Sequence, residues 1–123
     1  MKNVLLTGVA GFIGHKTAQF LLEDGCHVIG IDNMNEYYDV RLKRHRLDQL
    51  RGNSGFEFHE MDIEDKDKLN ALIESNSIDA IMNLAARAGV PYSLKNPKVY
   101  VNTNLQGSLN LLELANDHGI GKY

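Results

Sequence analysis

Three glycines at even three-residue steps constrain this chain more than any other feature. Gly8, Gly11 and Gly14 stand in the stretch LLTGVAGFIGHKTAQFLL. Before them runs Val4-Leu5-Leu6, a compact apolar stretch that reads as a buried strand ended by Thr7-Gly8. After them, Ile13, Ala18, Leu21 and Leu22 recur on one face of a helix that Gly25 closes. A glycine inside a helix weakens it by roughly 1 kcal/mol relative to alanine, so Gly14 requires an offsetting gain. Close backbone packing and a bound anion are the gains such a turn offers. Gly8 would permit a tight turn, Gly11 would let the backbone approach a phosphate, and Gly14 would let the helix pack closely on the strand. The helix N-terminus then presents the amides of Phe12 and Ile13, with the positive end of the helix dipole, to an anion.

The rest of the chain repeats this alternation. His27 to Ile31 is a second apolar run that ends at Asp32, Phe56 to Met61 a third and weaker one, and Ala80 to Leu84 a fourth. Between them, Asp65 to Ser75 carries Leu69, Leu72 and Ile73 at helical spacing, and Pro97 opens a long helix whose Val101, Leu105, Leu109 and Leu112 form one apolar face. Strands alternating with helices predict an α/β fold with a doubly wound, Rossmann-type parallel sheet. About four strands are visible, and Ile120 to Tyr123, after a C-cap at Gly119, reads as the approach to a fifth. The expectation is one dinucleotide-binding domain over residues 1–123 that stops in mid-fold.

Asp32 closes the second strand eighteen residues beyond Gly14. With a glycine turn between a strand and a helix, that placement fits a dinucleotide-binding βαβ unit, Asp32 accepting hydrogen bonds from the adenosine ribose hydroxyls. The competing expectations are bland: a formal charge of −3 argues against a general nucleic-acid binder, and no apolar run approaches a membrane span of about 20 residues. The single Cys26 suits a reducing, cytoplasmic compartment and reads as a small buried packing residue. The five histidines lack metal-ligand spacing, so no metal site is expected. The excursion from Asn33 to Gly55 contains the basic stretch RLKRHRLDQLR, with Val40, Leu47 and Leu50 spaced for a surface helix whose charges face solvent. His15 and Lys16 are also expected to face solvent.

These motifs resemble the extended short-chain dehydrogenase/reductase superfamily, and within it the NAD-dependent sugar-nucleotide epimerases and dehydratases. The resemblance covers nearly the whole chain. The segment DNMNEYYDVRLKRHRL is similar to the one after the second strand in UDP-glucuronate 4-epimerases, and implies Asn33 and Asn35 beside Asp32 in the cofactor site. MDIED resembles the adenine contact, which implies the Asp62 carboxylate and the Ile63 backbone against the base. NLAARAGVPYSLKNP resembles the fourth-strand segment, where Leu84, Ala85, Ala86 and Arg87 would line the cofactor and the continuation Ala88-Gly89-Val90 favours the glucuronate epimerases. Pro91 departs from that pattern. YVNTNLQGSLNLLELA resembles the following helix, and Asn104 matches the asparagine that supports the active site.

The resemblance implies NAD as cofactor and a UDP-sugar as substrate, interconverting UDP-glucuronate and UDP-galacturonate through a 4-keto intermediate. It also implies a homodimer through the helix that starts at Pro97, where Leu111 and Leu114 lie off the first apolar face. UDP-glucose 4-epimerase, a dehydratase and a non-catalytic dinucleotide-binding module are the alternatives. The family places a serine or threonine after its fifth strand and a Tyr-x-x-x-Lys pair on the next helix. No Tyr-x-x-x-Lys spacing exists here; Tyr37 is followed four residues later by Arg41. No catalytic residue is therefore assigned, and the chain alone is expected to be inactive.

Overall fold

The computed structural model describes residues 2–36, 39–87 and 90–123, and of Val90, Pro91 and Tyr92 the backbone alone. Tyr37 and the Ala88-Gly89 part of the substrate-class motif lie outside the described residues.

Four strands, β1 (Asn3–Thr7), β2 (His27–Asp32), β3 (Phe56–Glu60) and β4 (Ala80–Asn83), form one parallel sheet in the order β3-β2-β1-β4. β1 is central, with Leu5 opposite Ile29 on one side and Ile81 on the other. Successive side chains alternate between faces, so the apolar runs serve two cores. Leu5, Ile29, Ile31 and Ile81 pack with Leu69, Leu72 and Ile73 of α3 (Lys66–Glu74) and with Leu111, Leu114 and Ala115 of the last helix. Leu6, Val9 and Val28 pack on the opposite face with Ala18 of α1 (Phe12–Glu23) and Leu47 and Leu50 of α2 (Val40–Arg51). The expected α/β, Rossmann-type winding is therefore present.

The helix ends follow the sequence. Asp39 caps α2 by accepting from the Arg41 amide, and Asp65 caps α3 by accepting from Lys68. α1 closes with Gly25 at φ +84°, whose N–H donates to Leu22 while Cys26 donates to Leu21. The final helix closes the same way: Gly119 at φ +68° donates to Asn116, and Ile120 donates to Ala115 and packs on the core. Beyond it the Ile81 amide donates to the Lys122 carbonyl, so the last residues run beside the free edge of β4.

Three expectations change. Cys26 is half-buried, because it sits in the turn that closes α1. A short helix, α4 (Val90–Lys95), precedes the long one. The long helix comprises α5 (Pro97–Tyr100), a π-helical stretch (Val101–Gly107) and α6 (Ser108–Asp117), and it turns the opposite face inward from the one its leucines suggest. Val101, Leu105, Leu109 and Leu112 are about half exposed or more, at 51, 66, 48 and 47 %. The buried face is Thr103, Gly107, Asn110, Leu111, Leu114 and Ala115, because the helix crosses the turn after β3 too closely for large side chains at its first inward positions.

Candidate cofactor site

The glycine turn shows what offsets Gly14. A Cβ on Gly14 would lie 2.0 Å from the Gly8 carbonyl oxygen, inside any tolerable contact, so α1 packs on its own turn through bare backbone. Gly8 has φ +68°, and a Cβ there would meet the Leu84 carbonyl oxygen at 2.7 Å. The glycines thus bring β1, α1 and the segment after β4 together. Gly11 is the N-cap of α1 and has no side-chain acceptor to offer, and no acidic residue stands in the first turn, so no side-chain cap covers the start of α1, where an anion would be favoured.

Thr7, fully buried at the end of β1, ties this region together. Its hydroxyl donates to Asn83 Oδ1 at 2.6 Å and accepts from the Leu84 and Ala85 amides, both at 3.0 Å. The chain after β4 is thereby fixed against the glycine turn.

Asp32, at the end of β2, is 7 % exposed. Its Oδ2 accepts from the Ala10 amide at 3.1 Å, and its Oδ1 accepts from the Met34 amide at 2.8 Å and from Lys43 Nζ at 3.4 Å. Met34 adopts φ +56° as the backbone wraps the carboxylate. A carboxylate has about four acceptor sites, so three internal donors leave room for another on Oδ2. Lys43 is itself 5 % exposed and keeps further donors. The basic helix is therefore not a uniformly solvated face: Lys43 turns inward, and Arg46 donates to the Ala10 carbonyl at 3.1 Å. Lys43, Leu47 and Leu50 share one helix face at steps of four and three, and that spacing was the available signal.

One cleft, at the C-terminal ends of the strands, is lined by Gly8, Gly11, Asp32, Asn33, Asn35, Asp62, Ile63, Leu84, Ala85, Ala86 and Arg87. All of these come from the sequence reading. Asn33 Nδ2 donates to Asp62 Oδ2 at 3.1 Å, joining the loops after β2 and β3. Burial and the adjacent Asp62 carboxylate push the Glu64 carboxyl above the ordinary carboxylate range, while Arg87 acts in the other direction.

Four candidate residues do not line the cleft. Gly14 is buried beneath the turn. Phe12 and Ile13 direct exposed side chains to a separate hollow between α1 and α2, shared with His15 and Arg46. His15 is accordingly only partly exposed, and burial, followed by the Arg46 charge, holds its imidazole below the usual value. Asn104 faces Arg87, accepting from its amide at 2.8 Å and donating to its carbonyl at 3.1 Å, so it positions the wall of the cleft.

The cleft also contains residues that the sequence reading did not assign to the site: Lys43, Ile31, Met61 and Thr103. Thr103 is 5 % exposed, and among the described residues neither its hydroxyl nor the buried Arg87 Nε has a hydrogen-bond partner. Buried polar atoms normally have partners, so these two, in residues that line the cleft, remain open to a polar group there. Thr103, Gly107 and Leu111 recur at steps of four along the inward helix face, a signal masked by the leucine-rich outer face.

A parallel sheet wound on both faces, with a glycine turn after its first strand and an acid ending the next, defines a dinucleotide-binding α/β domain. The sequence model described as GDP-mannose 4,6 dehydratase matches residues 5–123, and the chain belongs to that family, of the NAD-dependent epimerase/dehydratase type. It is 51 % identical over 122 residues to a UDP-glucuronate 4-epimerase of Thermodesulfobacterium geofontis, an alignment covering 99 % of this chain and 38 % of that protein. It is 40 % identical over 118 residues to the CapI protein of Staphylococcus aureus, covering 96 % and 35 % of the two chains. Among solved structures it is similar to UDP-glucuronic acid 4-epimerase from Bacillus cereus in complex with UDP-glucuronic acid and NAD, with TM-score 0.83 and 37 % identity over 92 % of this chain and 36 % of that one. UDP-glucose 4-epimerase from Stenotrophomonas maltophila, with bound NAD, gives TM-score 0.84 and 32 % identity over 98 % of this chain and 35 % of that one. The chain thus spans little more than a third of the length of the relatives it matches.

Proposed function

We propose that this chain is the NAD-binding portion of a sugar-nucleotide 4-epimerase that interconverts UDP-glucuronate and UDP-galacturonate. The observation that carries the cofactor reading is the cleft itself: the glycine turn, Asp32, the Asp62-Ile63 turn and the Leu84–Arg87 segment meet there, and Thr103 and Arg87, which also line it, keep buried donors with no partner among the described residues. Asp32 and Lys43 would hold the adenosine ribose, Asp32 accepting on its remaining site and Lys43 donating to a hydroxyl oxygen. Asp62 and Ile63 would meet the base, with Asn33 and Asn35 supporting them. The Phe12 and Ile13 amides at the start of α1 would receive the pyrophosphate, and Leu84, Ala85, Ala86 and Arg87 would wall the nicotinamide side, with Asn104 holding Arg87. NAD supplies, when bound, a reversible hydride acceptor for C4 of the hexuronate. The chain's own contribution is to bind and orient that group and to keep it dry on one side.

The choice of a glucuronate substrate is supported by the 51 % identical relative. The exposed stripe of Val101, Leu105, Leu109 and Leu112 supports a homodimer, since half-exposed leucines in a row gain by association. A cytoplasmic setting agrees with the single Cys26; among the described residues no helix is long and apolar enough to cross a membrane. The test is an assay of a longer protein carrying this chain, with UDP-glucuronate and UDP-glucose as competing substrates. Formation of UDP-galacturonate is the expected result, and turnover of UDP-glucose alone would overturn the substrate assignment.

A further inference from the structure

Asn110 is 3 % exposed on the inward face of α6, an expensive place for an amide unless its hydrogen bonds are made. They are made in a particular way. Its Nδ2 donates to the Ile63 carbonyl at 2.9 Å and to the Glu64 carbonyl at 3.1 Å, and its Oδ1 accepts from Gln106 Nε2 at 3.0 Å. The Ile63 carbonyl and the Glu64 N–H belong to one peptide unit, and that N–H donates to Asp62 Oδ1 at 2.9 Å. Because the peptide is planar, Asn110 on one end fixes the direction of the bond that holds Asp62 on the other. Asn33 holds the second oxygen of Asp62. Gly107, one turn before Asn110, completes the arrangement. A Cβ there would lie 2.5 Å from Ile63 Cδ1 and Cγ1, so the bare helix backbone gives the Ile63 side chain its space.

We propose that Asn110 is a positioning residue for base selection: through the Ile63–Glu64 peptide it aims the Asp62 carboxylate so that the turn accepts an amino group and rejects an oxygen. The proposal rests on the reading of Asp62 and Ile63 as the adenine contact. It explains why a leucine-rich helix spends a core position on an amide.

The experiment is calorimetric titration of the purified chain with NAD and with nicotinamide hypoxanthine dinucleotide, which differ at one base edge: the 6-amino group becomes a carbonyl and N1 gains a proton. The native chain is expected to favour NAD by about tenfold or more, the cost of replacing a donor by an oxygen against a carboxylate. Asn110→Asp keeps the shape but cannot donate to the two carbonyls, and the preference should fall to within about twofold. Gly107→Ala approaches the same turn from the Ile63 side and should also narrow the preference, so it decides the matter if Asn110→Asp does not fold. Glu113→Gln, which removes the charge from an ion pair with Lys66 away from this turn, should leave the preference intact. A merely structural Asn110 would lower the unfolding temperature and weaken both dinucleotides equally, and an unchanged ratio in a folded variant overturns the proposal while the base reading stands. A native chain that binds both dinucleotides equally overturns the base reading, and this proposal with it.

Discussion

Asp32 and Lys43 place opposite charges 3.4 Å apart in a nearly dry position at the end of β2. Charges about 4 Å apart interact by roughly 4 kcal/mol at an effective dielectric near 20. On the proposed ribose reading, a 2′-phosphate would meet repulsion from Asp32 and attraction from Lys43, and the carboxylate, which keeps an acceptor site for the diol, would decide the preference for NAD over NADP. Lys43→Met should widen that preference by about tenfold, and Asp32→Asn should narrow it. Titration of each variant with both dinucleotides checks this; ratios that do not move would show that neither charge faces the ribose.

His15 gives a pH dependence of defined sign. Its folded pKa is depressed by burial and then by the Arg46, Lys16 and His45 charges, against a hydrogen bond to Gln49 that raises it. The unfolded chain therefore takes the proton first, so stability is full above the ordinary imidazole value of about 6.5 and is lost as the pH falls through it. Thermal unfolding followed from pH 7.5 to 5 should show a shallower decline for His15→Gln than for the native chain.

At this scale the sequence was readable where a residue type serves a motif. Gly8, Asp32, Asp62 and the Leu84–Arg87 run stand at fixed offsets from strand ends, and they line the cleft together. Lys43 and Thr103 were not read, because a buried lysine in a basic helix and a buried threonine in a leucine-rich one are polar residues whose inward direction depends on tertiary packing.

Among elements, the glycine turn and the last helix teach opposite lessons. In the turn, local pattern and packing agree. Gly14→Ala would relieve roughly 1 kcal/mol of helix propensity but would set a Cβ 2.0 Å from the Gly8 oxygen. The clash dominates, and a net loss of about 3 kcal/mol or more is expected in denaturant unfolding. In the last helix, pattern and packing disagree. The periodic Val101–Leu105–Leu109–Leu112 stripe is the stronger sequence signal, yet it faces outward, because Gly107 and Asn110 are needed where the helix meets Ile63. An outward apolar stripe predicts self-association. Light scattering should show dimers at high concentration, and Leu105→Lys with Leu109→Lys should shift the chain toward monomer; a clean native monomer would contradict this.

For the molecule as a whole, the four-stranded sheet would supply, on the proposed reading, the adenosine half of a cofactor site, while the chain spans little more than a third of its relatives' length. General acid–base help is typically worth 10²–10⁴-fold, and orientation of the reacting groups contributes several kcal/mol more. With no Tyr-x-x-x-Lys spacing in the sequence, UDP-galacturonate formation from UDP-glucuronate by this chain alone should be below detection. Binding should survive that loss. The central claim, that residues 1–123 carry the adenosine side of an NAD site, is tested most directly by calorimetric titration of the chain with ADP-ribose and NAD in parallel. Saturable binding of both is expected, with affinities within about threefold, and loss of both in Asp32→Ala, since the residues proposed to bind fall mostly on the shared half. A folded chain that binds neither, or that binds NAD but not ADP-ribose, would contradict it.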